Sequence, residues 1–511
     1  MDTFKPLGNY QAISRYVSEA LWRPTNLPEP FRSASDLRVF RAAVADGRDF
    51  LPSRYYAPYL DVLEAALNQA QASILALSPK AKARRASIIA QLESVFEVLA
   101  APIVQLSSTQ LQNELKAFMA LTSNLYRRFV DDEKVKQAQT LKLLWPELDP
   151  LGYFGSNATG PYTLVASKEL PVTLIAKPAQ QMNCVALWLA DGHEVGGHCV
   201  QTSISGFHAD MKSCVEAAIK KAYAEGTIKT SKATFKLSSV GSMVFDGRRS
   251  VNVEQFLVEL FSAWTAEIAA DAAGLINLGP LFVNSGMLLL GNSRAGGGLS
   301  TTSEFDSRTG FAEHPIDLVR VLLAIEMVKR LAFKNGLLYA KSLNERLAKV
   351  CGGRIPQAVS WYRRSGAKVA DMQLADITAA LPHVANALLH SRLPALGNQS
   401  LSQLMSWTDN DEKLVRQVAD QLTTGDTSID SEVEARHVAA ASLLALEQAS
   451  NRSNFEQQAP VINSSAVTAL ASIYDEQCLL CALPAVKSKK GPASTTQLID
   501  LVRLVKEMKG R

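Results

Sequence analysis

The stretch Asp191-Gly192-His193-Glu194-Val195-Gly196-Gly197-His198, taken with Glu267-Ile268-Ala269-Ala270-Asp271, limits what this chain can fold into more than any other. Two imidazoles bracket a carboxylate in a short apolar segment. In the second segment Val253, Phe256, Leu257, Leu260, Phe261 and Trp264 form a stripe at helical spacing that runs on to Glu267 and Asp271. Carboxylates on the inward face of a helix are costly unless positive charge meets them. A metal ion and its histidines supply that charge, so the fold has to bring the two segments together.

The histidine spacing sets a backbone requirement. Histidines four apart on an α-helix are turned by about 40° from one another, whereas five apart they diverge by about 140°. His193 and His198 are five apart. One extra residue absorbed as a π-bulge restores a common face, and such bulges are frequent at functional sites. Gly196 and Gly197 supply backbone freedom for that distortion, at roughly 1 kcal/mol each relative to Ala.

These parts match a hydrolytic zinc site. A catalytic Zn²⁺ takes about three protein ligands and keeps a position for water, whose pKa falls to about 7. His193, His198 and Glu267 are the expected ligands. Glu194, beside His193 but rotated off its face, is the expected general base. Asp271, one turn beyond Glu267, is expected to accept the outer N–H of a ligating histidine and fix its tautomer.

Glu-x-x-Ala-Asp after a two-histidine helix resembles the gluzincin metallopeptidases, and Asp271-Ala272-Ala273-Gly274 is similar to the continuation in thermolysin-like enzymes. The five-residue form H-E-x-x-G-H looks like that of the dipeptidyl-peptidase III family. The resemblance covers about a fifth of the chain and implies a zinc peptidase with the same ligands, base and outer aspartate. One departure stands out: that family's second motif begins with paired glutamates, and here Ala266 precedes Glu267.

Further donors lie downstream. Hydrolytic zinc sites commonly need one more group to hold the oxyanion, and His314, the next histidine after Glu267, is the candidate. Arg320 is a candidate for a substrate carboxylate or for pairing with Asp317, and Tyr339 is an alternative donor. His314-Pro315 opens an amphipathic helix expected over Leu318 to Phe333, with proline where its missing N–H costs nothing.

The remaining texture points to a mainly α chain with a small β-sheet (α+β): a zincin-like core at 151–335 flanked by helical regions at 1–150 and 336–511. Tyr59 to Leu75, Ala81 to Leu99 and Leu111 to Phe129 carry apolar residues at three-and-four spacing. Strands are expected at 162–166 and 172–176, where an edge strand can pair with an extended substrate, and near 233–244. The glycines from Ala295 to Gly310 read as a mobile loop at the cleft wall. Leu275 to Leu290 is apolar but interrupted by Asn277, Gly279, Pro280 and Asn284, which favours buried packing over a membrane span.

Charge is near balance at +4, from 53 basic and 49 acidic residues, which implies no nucleic-acid partner. Residues 1–6 carry no basic region followed by an apolar run, so a cytoplasmic protein is expected by default, with non-classical export left open. Six scattered cysteines fit reduced thiols better than a disulfide framework, and Cys478 and Cys481 suit a buried helix. The expected activity is zinc-dependent hydrolysis of a peptide or protein substrate; the alternative is a zincin-like helical binding protein without catalysis.

Overall fold

The computed structural model describes residues 7–23, 25, 27–32, 34–51, 53–137, 148–155, 160–167, 169–236, 239–240, 243–244, 250–294, 297–306, 310–480 and 497–509. Residues 1–6, on which the absence of a leader was read, and Cys481 lie outside them, as do the side chain of Cys478 and glycine-loop residues 295–296 and 307–309. The chain is mainly α-helical with small sheets, the expected class.

Contacts divide the chain into two compact units, each discontinuous in sequence. One comprises residues 23–127, 142–183 and 467–511. Its helices Ser53–Leu75 and Lys82–Leu99, and most of Gln112–Val130, cover the expected helical stretches, the first beginning six residues before the expected Tyr59. In its core Phe31 stacks on Phe40 at 5.4 Å and both meet Phe96 edge-on. Its sheet runs Leu151–Gly155, Leu174–Pro178, Tyr162–Leu164, with the first pair parallel and the second antiparallel. The two strands expected beside the histidine segment therefore exist, but they group with this unit, whereas the histidine segment groups with the other.

The second unit comprises residues 1–22, 128–141 and 184–466. Its centre is the pair formed by Gly192–Cys199 and Thr265–Leu278, both almost wholly buried. The long stripe from Val253 is two helices, Val253–Ala263 and Thr265–Leu278, separated at Trp264. Asn252 caps the first through a capping box with Gln255. The apolar run after Asp271 is likewise split, at Gly279 (φ 66°), where a Cβ would fall 2.4 Å from the Trp407 ring. Pro280–Asn292 then continues as a buried helix. Among the described residues no single helix is long and apolar enough to cross a membrane.

Two stretches differ from the sequence reading. Thr302–Asp306, inside the expected mobile loop, is a strand, and the expected all-helical C-terminal region contains the hairpin Ala358–Tyr362/Lys368–Gln373. The strand lies parallel to Ala358–Tyr362, with Trp361 opposite Ser303, and antiparallel to Gly310–Phe311. Phe256, Phe311 and Trp361 interlock at ring separations of 4.9 to 5.9 Å, a long-range reason for order that local glycine content conceals. Pro315 precedes the next helix, Asp317–Val328, instead of opening it.

Candidate metal centre

Gly192–Cys199 is a π-helix throughout, so residue i+5 lies over residue i and His193 and His198 share a face. Their rings meet edge-on with centroids 4.6 Å apart. The glycines serve a purpose beyond the one expected of them. None of Gly192, Gly196 and Gly197 has positive φ. Instead, a Cβ on Gly197 would lie 2.6 Å from Ala270 Cα, and one on Gly192 would lie 2.9 Å from Gly274 Cα. They let the π-helix press against the small-residue face Ala270-Ala273-Gly274 of Thr265–Leu278, where Gln201 Nε2 adds a hydrogen bond to Ala269 O at 2.9 Å.

That close approach puts the Glu267 carboxylate against the histidines. Oε2 lies 3.4 Å from His193 Nε2 and Oε1 lies 3.3 Å from His198 Nε2, and the three donor groups lie within 4.8 Å of one another. Donors about 2.0–2.1 Å from a tetrahedral zinc are about 3.3–3.4 Å apart, so the two histidine–glutamate edges have the right length. His193, Glu194 and Glu267 are buried and His198 is partly exposed, which leaves one side open.

Outer contacts hold the candidate ligands in place. His193 Nδ1 is 2.8 Å from Asp271 Oδ1, the partner expected from the sequence. Arg320 differs from expectation: its Nε and Nη2 each donate to Asp271 at 2.6 Å, while Asp317 pairs with Arg294. Arg320 Nη2 also comes within 2.9 Å of His193 Nδ1. A metal on Nε2 requires the proton on Nδ1, so Nδ1 donates to Asp271 and the guanidinium is a second donor to the same carboxylate. His314 Nδ1 lies 3.2 Å from Glu267 Oε2, on a side chain that is 81% exposed.

Tyr339 does not join the group. Its hydroxyl is buried and donates to Glu412 at 3.1 Å, and that carboxylate also accepts from Trp407 Nε1. Its helical spacing was legible, but the partner 73 residues away was not. Trp264 was missed as a positioning residue; its Nε1 donates to Ala312 O at 3.1 Å and ties the segment before His314 to the Glu267 helix.

The electrostatics are those of a concentrated pair of charges. Burial works to raise Glu267, yet its contacts with His193, His198 and His314 hold it far below the usual carboxylate range. Burial likewise opposes ionisation of Asp271, and Arg320 and His193 overcome it. Burial and Arg320 lower His193, but Asp271 and Glu267 outweigh them and push it up to about 9. The hydrogen bond to Glu267 raises His314. Three imidazoles crowd one carboxylate, and without a cation each would have to supply its own proton. A divalent ion satisfies His193 and His198 through their lone pairs instead, and imidazole with carboxylate is a donor set that suits zinc.

No family model, curated protein or solved structure matches the chain.

Proposed function

We propose that this chain is a zinc-dependent hydrolase of peptide bonds, with His193, His198 and Glu267 holding the metal. The observation that carries the reading is the pair of 3.3 and 3.4 Å edges between one carboxylate and two histidines drawn from separate helices. Two imidazoles and one carboxylate leave a coordination position open, as in catalytic rather than structural zinc sites. The likeness of both motifs to the gluzincins supports the same reading. When bound, zinc polarises a carbonyl and lowers the pKa of solvent water.

The chain's own groups do the rest. Glu194 follows His193 in the π-helix and is buried, which supports the role of accepting a proton from water and delivering it to the leaving amine. Asp271 holds the proton on His193 Nδ1 and keeps Nε2 directed at the metal position. The buried wall formed by Thr265–Leu278 excludes bulk water from one side of the site, which strengthens each of these interactions.

The test is a peptide-library digest with zinc-loaded protein and its Glu194→Gln variant. Cleavage should fall by about 10²–10⁴ in the variant, while zinc content stays stoichiometric. Equal cleavage by both proteins removes Glu194 from the role, and stoichiometric zinc without any cleavage by the wild type favours a non-catalytic binding protein.

A further inference from the structure

Of the three residues that the sequence offers as donors to substrate or oxyanion, His314 instead meets Glu267, and Arg320, for which pairing with Asp317 is the alternative, meets Asp271. We infer that the segment Ala312–Arg320 is a clamp on the metal centre, in which His314 positions the Glu267 carboxylate and Arg320 positions Asp271 and through it the His193 ring. This rests on the reading of His193, His198 and Glu267 as a zinc site.

The geometry is specific on both sides. His314 Nδ1 meets Glu267 Oε2 at 3.2 Å. Oε2 also lies 3.4 Å from His193 Nε2 and Oε1 lies 3.3 Å from His198 Nε2, so a donor on Oε2 fixes the carboxylate plane in which the two oxygens face the two histidines. Arg320 grips Asp271 through two nitrogens at 2.6 Å, a forked contact that fixes the plane of the carboxylate as well as its position. Asp271 Oδ1 is the atom 2.8 Å from His193 Nδ1, so the orientation set by Arg320 is passed to the ring. One stretch of nine residues thus carries the outer partners of two ligands that are themselves on different helices.

The segment is tied down at both ends. Trp264 Nε1 holds Ala312 O at 3.1 Å, and Trp264 directly precedes the helix bearing Glu267 and Asp271, so anchor and ligands share one support. Asp317 accepts from Ser300 N at 2.9 Å and pairs with Arg294 at 2.8 Å. Outer partners of metal ligands typically contribute 10- to 100-fold in metal affinity because they remove rotamer freedom from the ligand before the ion arrives.

The measurement is zinc affinity of the full chain, by competition with a chromogenic zinc indicator after chelator treatment, without reference to turnover. His314→Ala, on a mostly exposed side chain whose loss spares the core, should weaken binding by about tenfold. His314→Asn places an amide N–H where Nδ1 was and should restore affinity to within about threefold of wild type. Arg320→Lys keeps the charge but loses the fork, and should cost about 10- to 100-fold. Wild-type affinity in His314→Ala, or equal losses in His314→Ala and His314→Asn, overturns the clamp while leaving the zinc site standing. A wild-type chain that takes up no stoichiometric zinc sinks the metal reading itself, which is a separate and earlier failure.

Discussion

Gly197→Ala tests whether the site is made by close approach of two helices. The new methyl would lie 2.4 Å from Ala270 Cβ and 2.6 Å from Ala270 Cα. Unbonded carbons prefer about 3.5–4.0 Å, so the helices have to part locally by roughly 1 Å. Overpacking of this kind costs about 1–3 kcal/mol, and contact with backbone belongs at the upper end. Alanine's helix propensity returns about 1 kcal/mol, leaving a net loss of about 2 kcal/mol. At about 2 °C per kcal/mol for a unit of this size, calorimetry should show a fall of roughly 4 °C. Gly197 adjoins His198 and Ala270 is one turn from Glu267, so the same displacement opens the 3.3 Å His198–Glu267 edge. Ligand distances tolerate only about 0.2 Å, and zinc affinity should drop at least tenfold. Gly286→Ala is the paired control: it lies in Pro280–Asn292 with no heavy atom within 4 Å of the added Cβ, and should stabilise by about 0.5–1 kcal/mol. If Gly197→Ala melts at or above the wild-type temperature with zinc affinity unchanged, the close-approach argument is wrong.

Other expectations follow from groups whose partners are now defined. Tyr339→Phe should leave peptide cleavage unchanged and cost about 1 kcal/mol, since it loses the buried hydrogen bond to Glu412; a large loss of turnover with stability intact would return Tyr339 to the site. Asp411 accepts from Arg436 and from His437 Nε2 at 2.9 Å, while His437 Nδ1 accepts the Glu434 N–H, which fixes the neutral tautomer. Burial raises Asp411, but His437 and Arg436 hold it far below the usual carboxylate range. A depressed folded pKa stabilises fully above the unfolded value of about 3.9 and is lost as pH falls below it. Asp411→Asn should therefore flatten the acid limb of a stability–pH profile below about pH 4 and cost about 1.5–3 kcal/mol at pH 7, where Arg436 loses its charged contact with Asp411 but keeps Glu434 and Asn277 O; an unchanged acid limb contradicts this. Zinc at 100 times its Kd should stabilise the chelator-treated protein by about 2.7 kcal/mol in a melting experiment, and a melt indifferent to zinc argues against binding to the folded state.

The sequence by itself picked out the three residues that come together and the backbone irregularity that lets them. A five-residue histidine interval is incompatible with a shared α-helical face, so a π distortion followed from the spacing alone, and the structure has it over Gly192–Cys199. The same holds for the outer role of Asp271, because its one-turn offset from Glu267 is a local property of a helix. Local periodicity also delimited several helices, among them Lys82–Leu99 and Gln112–Val130. Only the tertiary structure decided what lies across from these elements. Gly197 meets Ala270, Arg320 meets Asp271 and His314 meets Glu267 over separations of 47 to 73 residues, and no local pattern encodes which residue will be opposite. Glycine-rich composition suggested mobility at 295–310, yet pairing with a distant hairpin orders Thr302–Asp306. Propensity and periodicity act within a turn or two of chain, whereas partner choice depends on packing the whole unit at once.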